Sequence, residues 1–171
     1  MVFTSPLYGY SATLTTAWRI VPASDAWDGE EVIGHEDAMV DQLVAPQVGD
    51  RCENTFRCGP NAWALAYPAT DDLATVVASM DAREVEDHDC PATPEEQSDT
   101  EIDGEPAILS VTHCPEGAED GGLMIVRAIA IHDGTAYYFW IQDPSSIAQR
   151  DLEPLMRSDF EALLAEVDLP D

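Results

Sequence analysis

By type and spacing, four cysteines are the residues best placed to do chemistry: Cys52, Cys58, Cys90 and Cys114. An even set admits three disulfide pairings, and sequence alone does not choose among them. Nearness along the chain favours Cys52 with Cys58, inside one loop, and Cys90 with Cys114, which would tie an acidic stretch to the end of an apolar strand. An unstrained crosslink closing that second loop contributes about 3.5 kcal/mol in the chain-entropy picture. Metal binding is the rival chemistry. His88 stands two residues before Cys90 and His113 abuts Cys114, so with the first pair bridged two cysteines and two histidines remain for an ion. Structural zinc sites ordinarily place two to four residues between paired cysteines, whereas five separate Cys52 from Cys58.

A third reading makes Cys58 a nucleophile. Arg57 to Ala66, R-C-G-P-N-A-W-A-L-A, resembles the Cys-Gly-Pro opening of bacteriocin-processing, papain-like peptidases, in which a helix dipole lowers the thiol pKa. Gln142-Asp143-Pro144 is similar to the Asp-Pro that closes a later strand there. Those enzymes start the intervening strand with a base histidine, whereas this chain has Gly122-Leu123-Met124, and His132 falls at the strand's other end. Among the aromatics, Trp27 sits in a Trp-Asp-Gly turn and is the one expected to be exposed for binding. Glu84, Glu86, Asp87 and Asp89 lack the spacing of a calcium loop and read as solvated surface. No phosphate loop, dinucleotide fingerprint or nucleophile elbow occurs, and no cofactor is expected.

The positioning elements come from periodicity. Pro106 to Thr112, Leu123 to His132 and Ala136 to Gln142 are apolar runs, the last two joined by Asp133-Gly134, and they predict an antiparallel meander. Tyr137-Tyr138-Phe139-Trp140 puts two aromatics on each sheet face, so both faces need cover. Tyr10 to Val21 alternates as one half-buried strand, Gln42 to Ala45 is a short apolar piece, and Ala62 to Tyr67 is a further strand. Leu73, Val76, Val77 and Met80 mark a helix from Asp71 to about Ala82, capped by Thr70. A second amphipathic stripe runs from Leu152 to Val167, with Ser158 and Glu161 as a capping box at which the helix could restart. Residues 84–101 read as an acidic surface excursion. The fold class is thus α+β: an antiparallel sheet flanked by helices on both faces, in one domain over 1–171.

Composition narrows function. The chain carries 34 Asp and Glu against seven Arg and no Lys, a formal charge of -27. Nucleic acid and anionic membrane are disfavoured partners, because phosphate binding needs cations that displace counterions. No apolar run is long enough to span a bilayer, and Met1 to Tyr10 shows no leader pattern. The compartment is therefore cytoplasmic if Met1 is the native start, and extracytoplasmic if a leader has been removed.

Taken together, S-P-L-Y-G-Y-S-A-T-L (Ser5 to Leu14), W-D-G (Trp27 to Gly29), G-H-E-D (Gly34 to Asp37), W-A-L-A-Y-P-A-T-D-D-L-A (Trp63 to Ala74), C-P-A-T-P-E (Cys90 to Glu95), I-D-G-E-P-A (Ile102 to Ala107), I-H-D-G (Ile131 to Gly134) and F-E-A-L-L-A (Phe160 to Ala165) resemble a group of uncharacterised, mostly actinobacterial secreted proteins with a PsbP-like fold. The resemblance implies an antiparallel sheet flanked by helices, an export-associated module without known catalytic residues, and a bridge between Cys90 and Cys114. Residues 47–61, with Cys52 and Cys58, depart from it as a loop insertion. The expectation is a monomeric, disulfide-stabilised accessory domain that binds a small molecule or a protein. Acid repulsion of this size should be relieved by screening. Added salt is therefore expected to raise the melting temperature in calorimetry, and a flat response would remove repulsion as a factor.

Overall fold

Asp133 and Gly134 take the left-handed conformation, with φ of 47° and 74°, and Asp103 and Gly104 repeat it at 52° and 79°. Two positive-φ residues in succession make a hairpin turn whose twist suits the flanking strands, and Asp-Gly is the pair that tolerates it at least cost. A computed structural model describes residues 1–14, 19–27, 38–44, 61–88, 90–91, 93–114, 123–144 and 153–170. In it these turns organise the order β1 (Val2–Thr4), β2 (Ser11–Thr13), β3 (Arg19–Val21), β4 (Asp41–Val44), β5 (Asn61–Pro68), α1 (Leu73–His88), β6 (Glu96–Ile102), β7 (Glu105–His113), β8 (Leu123–His132), β9 (Thr135–Pro144), α2 (Glu153–Leu164) and β10 (Val167–Asp168).

The large sheet has seven strands in the order β3-β4-β5-β9-β8-β7-β6, with every neighbouring pair antiparallel. The expected meander is β7-β8-β9, and the second Asp-Gly turn adds β6 beside it. A smaller antiparallel sheet has the order β1-β2-β10.

Register sorts the core. Ala64, Phe139, Ala128 and Leu109 lie abreast on one face, and Trp63, Trp140, Arg127 and Ser110 lie abreast on the other. The Trp face is covered by α1, whose Asp81 pairs with Arg127. On the Phe139 face, Tyr10 meets Phe139 edge-on at 5.2 Å, and Arg157 of α2 reaches Glu96, which shares that face. The second layer is therefore a helix together with the small sheet. Both faces are apolar because both are covered.

Three local expectations change, and a fourth is decided between alternatives. Tyr10 to Val21 is not one strand: β2 belongs to the small sheet and β3 to the edge of the large one, although Tyr10, Ala12 and Leu14 are buried as the alternation required. The cap of α1 is Asp72, whose Oδ1 accepts the Thr75 N–H at 2.8 Å and whose carboxyl is lowered by that bond. The acidic excursion is instead the end of α1 followed by strand β6, since residues alternating Ser98, Thr100 and Ile102 inward suit an edge. Finally, of the two readings of the second helix, a restart at Asp159 or an unbroken run from Asp151, the unbroken one holds through Ser158, with α2 starting at Glu153. Of the expected insertion at 47–61, Asn61 is the first residue of β5 and the rest lies outside the described residues.

Among the described residues, Arg127 is the largest fully buried side chain, at 2% exposure in the middle of β8. Its Nε donates to Ser110 Oγ at 3.0 Å and its guanidinium pairs with Asp81. Removing one member of such a pair strands a buried charge, which costs more than replacing both. Arg127→Ala is expected to lower unfolding stability in urea by about 3–5 kcal/mol. Arg127→Met with Asp81→Leu should recover most of that loss, and equal losses in the single and double variants would show that the pair is not the source.

Candidate functional site

Strand β6 reads Glu-Gln-Ser-Asp-Thr-Glu-Ile, and among its side chains only Ile102 is buried. A two-residue turn closes on a hydrogen-bonded pair, here Ile102 with Glu105, so bonded pairs recur at Thr100 with Ala107, Ser98 with Leu109 and Glu96 with Val111. The residues between them, Gln97, Asp99 and Glu101, direct their backbone N–H and C=O groups away from β7. Since β6 is the last strand of its sheet, that row faces outward, and all three side chains are exposed.

This edge is pinned at several points. At one end Cys90 is bridged to Cys114, with Cα atoms 4.5 Å apart, and Glu95 Oε2 meets His113 Nδ1 at 2.9 Å. Glu96 accepts from Arg157 Nη1 at 2.6 Å, and Arg157 Nε also donates to Glu161 at 3.0 Å. At the turn end Asp103 Oδ2 accepts the Leu169 N–H at 2.9 Å. Glu105 Oε1 meets His132 Nδ1 at 3.0 Å, while His132 Nε2 lies 2.9 Å from the Pro170 carbonyl. A neutral imidazole has one N–H, so only the protonated ring donates to both acceptors. The hydrogen bond to Glu105 raises the His132 pKa above its ordinary value; burial opposes it as the next largest effect, and the bond to Pro170 and the charges of Asp133 and Glu105 add to the rise.

Polar groups inside the core form a second set. Asp41 is wholly buried, its Oδ1 accepting the Ala23 N–H at 2.8 Å. Burial first, and then the nearby Asp41 charge, push the Tyr10 phenol well above its usual range, so it keeps its proton. Under α1, Trp63 and Trp140 stack at 5.9 Å, and Tyr138 stacks on Trp140 at 4.7 Å. Arg127 and Asp81 occupy the same layer.

The residues singled out in the sequence distribute unevenly over these sets. Trp27, expected in solvent, is only 3% exposed: Tyr67 packs on it edge-on at 4.7 Å, and the Arg83 guanidinium covers its ring at 5.3 Å. A tryptophan in a turn is buried whenever a neighbouring layer offers an aromatic edge and a cation to take its two faces. Cys90 and Cys114 are joined, and bridged sulfurs are not the thiolates a metal requires. Cys52 and Cys58 lie outside the described residues, as does the side chain of His88. Among the described residues no group of three or more His, Cys, Asp or Glu is placed to hold a metal ion, and no helix is long and apolar enough to cross a membrane. Sequence reasoning passed over Arg127 and β6. The available signals were an arginine inside an apolar run and a second Asp-Gly between alternating segments.

No family model and no curated protein matches the sequence. Its architecture does have relatives among solved structures. CyanoP, the cyanobacterial PsbP of Synechocystis sp. PCC 6803, superposes with a TM-score of 0.61 at 11% identity over 99% of this chain and 91% of that one. PA94, a protein of unknown function from Pseudomonas aeruginosa, gives 0.52 at 12% identity over 84% and 87%. The Ran-binding protein Mog1p of Saccharomyces cerevisiae gives 0.51 at 11% identity over 100% and 96%. The chain therefore has the PsbP/Mog1-like α+β fold.

The His132 contacts set a pH dependence. A group whose pKa is higher in the folded state contributes stability that is fully present below its unfolded pKa and is lost as pH rises through the folded value. Wild type is expected to exceed His132→Gln in urea-unfolding stability below the ordinary histidine pKa of about 6.5 and to lose that advantage as the pH rises above it. An advantage that grows with pH would show that the imidazolium is not what is bound.

Proposed function

We propose that this is a non-enzymatic accessory domain that works outside the cytoplasm by binding a protein partner. One contrast carries the reading. Among the described residues, Arg127, Tyr10 and Asp41 are buried inside the core with Asp81 only partly exposed beside Arg127, and the histidines His113 and His132 are engaged by Glu95 and Glu105 in holding the edge, whereas solvent meets a pinned strand edge rich in carboxylates. Catalysis needs reactive groups that reach a substrate. Recognition needs a surface that is ordered before the partner arrives.

The Cys90–Cys114 bridge supports export, since disulfides persist in oxidising compartments. Fold neighbours add a weaker argument by analogy: Mog1p is a Ran-binding protein, so this architecture can serve as a binding scaffold.

The test has two arms. Intact mass after alkylation in denaturant should show no label without reductant and four labels with it, establishing that Cys52 and Cys58 are bridged as well. Partners captured by crosslinking in extracts of the source cells should be reconstituted from purified components, and a stoichiometric complex at physiological salt is the expected outcome. Four labels without reductant would defeat the exported reading. Turnover of a substrate in a hydrolase and transferase panel, lost in a Cys58→Ser variant, would defeat the non-enzymatic one.

A further inference from the structure

Resting on the protein-binding reading, we infer that strand β6 is the docking edge and that its occupant is an extended, Lys- or Arg-rich segment of the partner, added to the sheet as an eighth strand. The outward N–H and C=O groups of Gln97, Asp99 and Glu101 form an unfilled ladder. Beyond the ladder to β7, the described residues include no group that bonds to them. Strand addition satisfies such a row with main-chain bonds and leaves selectivity to the side chains lying opposite.

Charge decides the occupant. An added strand places its side chains about 4.5–5.5 Å from those directly opposite, where like charges are destabilising and opposite charges favourable. Asp99 and Glu101 point to the α1 side of the sheet with Gln97, so two of the three positions that the incoming segment faces there are carboxylates. On the other side Glu96 is already engaged by Arg157, and Ser98 and Thr100 are small. A second copy of this chain pairing edge to edge would set acid against acid, in a molecule of charge -27. A basic segment meets the opposite balance and is drawn in at long range by the same field.

Rigidity makes the edge usable. The disulfide and the Glu95–His113 contact hold the start of β6, and the Asp103–Leu169 and Glu105–His132 contacts hold the turn beyond its end. The segment therefore meets a ladder whose ordering cost has already been met in folding.

The probe is an end-blocked peptide of alternating lysine and valine long enough to span β6, together with two versions N-methylated on alternate residues in the two possible phases. Binding is measured by titration calorimetry and by amide hydrogen exchange. The expected result is binding that weakens with salt, slowed exchange at Gln97, Asp99 and Glu101, and a loss of about tenfold or more in one methylated phase but not the other. Gln97→Pro removes an outward N–H without changing charge or breaking the ladder to β7, so it should fold and bind about tenfold more weakly. Asp99→Asn with Glu101→Gln should weaken binding while keeping the exchange pattern.

Equal binding of the two methylated phases, or wild-type affinity in Gln97→Pro, would reduce the interaction to unspecific charge and overturn the assignment. Absence of binding to the unmethylated peptide would overturn it too. A reconstituted partner that binds Gln97→Pro as tightly as wild type would reject this edge while leaving the protein-binding reading intact.

Discussion

The contact between Arg127 and Asp81 constrains much of the rest. An apolar helix face can slide over an apolar sheet at small cost, because dispersion and hydrophobic burial have no direction. The buried Arg127 guanidinium cannot part from Asp81 without leaving a charge unpaired in the core. With Ser110 accepting on its other side, Arg127 fixes where α1 sits across β7 and β8. The chain leaving α1 then reaches Cys90, the bridge to Cys114 delivers it to the end of β7, and β6 begins in register at Glu96. The outer edge of the sheet thus takes its place from an ion pair in the middle of it.

How far this was legible follows from which interactions are local. The β8-β9 hairpin was readable because Asp133-Gly134 encodes a turn in two residues, and the two apolar faces of β9 announced cover on both sides. The same code at Asp103-Gly104 was present, but the acidity of residues 96–101 argued for solvent. An edge strand is half in solvent, so that argument was true of the side chains and misleading about the backbone. Alternation placed Tyr10, Ala12 and Leu14 correctly in the core but carried no sign that β2 and β3 join different sheets. Trp27 was misplaced because its burial depends on Tyr67 and Arg83, both far away in sequence. Strand β10 has two residues and owes its existence to β2, so no periodicity could reveal it. The bridge between Cys90 and Cys114 was favoured by proximity and implied by the family resemblance, whereas no reading of the residues anticipated the buried pairing of Arg127.

The arginines show how unevenly charge is distributed. Arg127 is buried with Asp81, Arg157 ties α2 to Glu96 and Glu161, and Arg83 lies over Trp27. These cations join elements of the fold, which leaves many surface carboxylates without a neutralising neighbour. Exposed ion pairs contribute little to stability, so the role of Arg157 is better understood as alignment of α2 with the sheet edge. The acid excess keeps copies apart and gives the molecule a long-range field of one sign.

An acidic edge strand has an ordinary explanation, protection against edge-to-edge aggregation, and that explanation does not compete with recognition. A charge that repels a second copy of β6 repels it for the same electrostatic reason that it attracts a strand of opposite charge, because in either case the side chains lie directly across the ladder. Protection alone, however, does not require the strand to be held still. Proteins blunt exposed edges with short strands, bulges or prolines, and β6 has seven residues paired in regular register, with neither proline nor bulge within its span. It is instead long, held at its start by contacts from α2 and β7 and at the turn beyond its end by contacts from β8 and the chain after β10. Length and regularity are what an added strand uses, and they are the features that a purely protective edge would have lost.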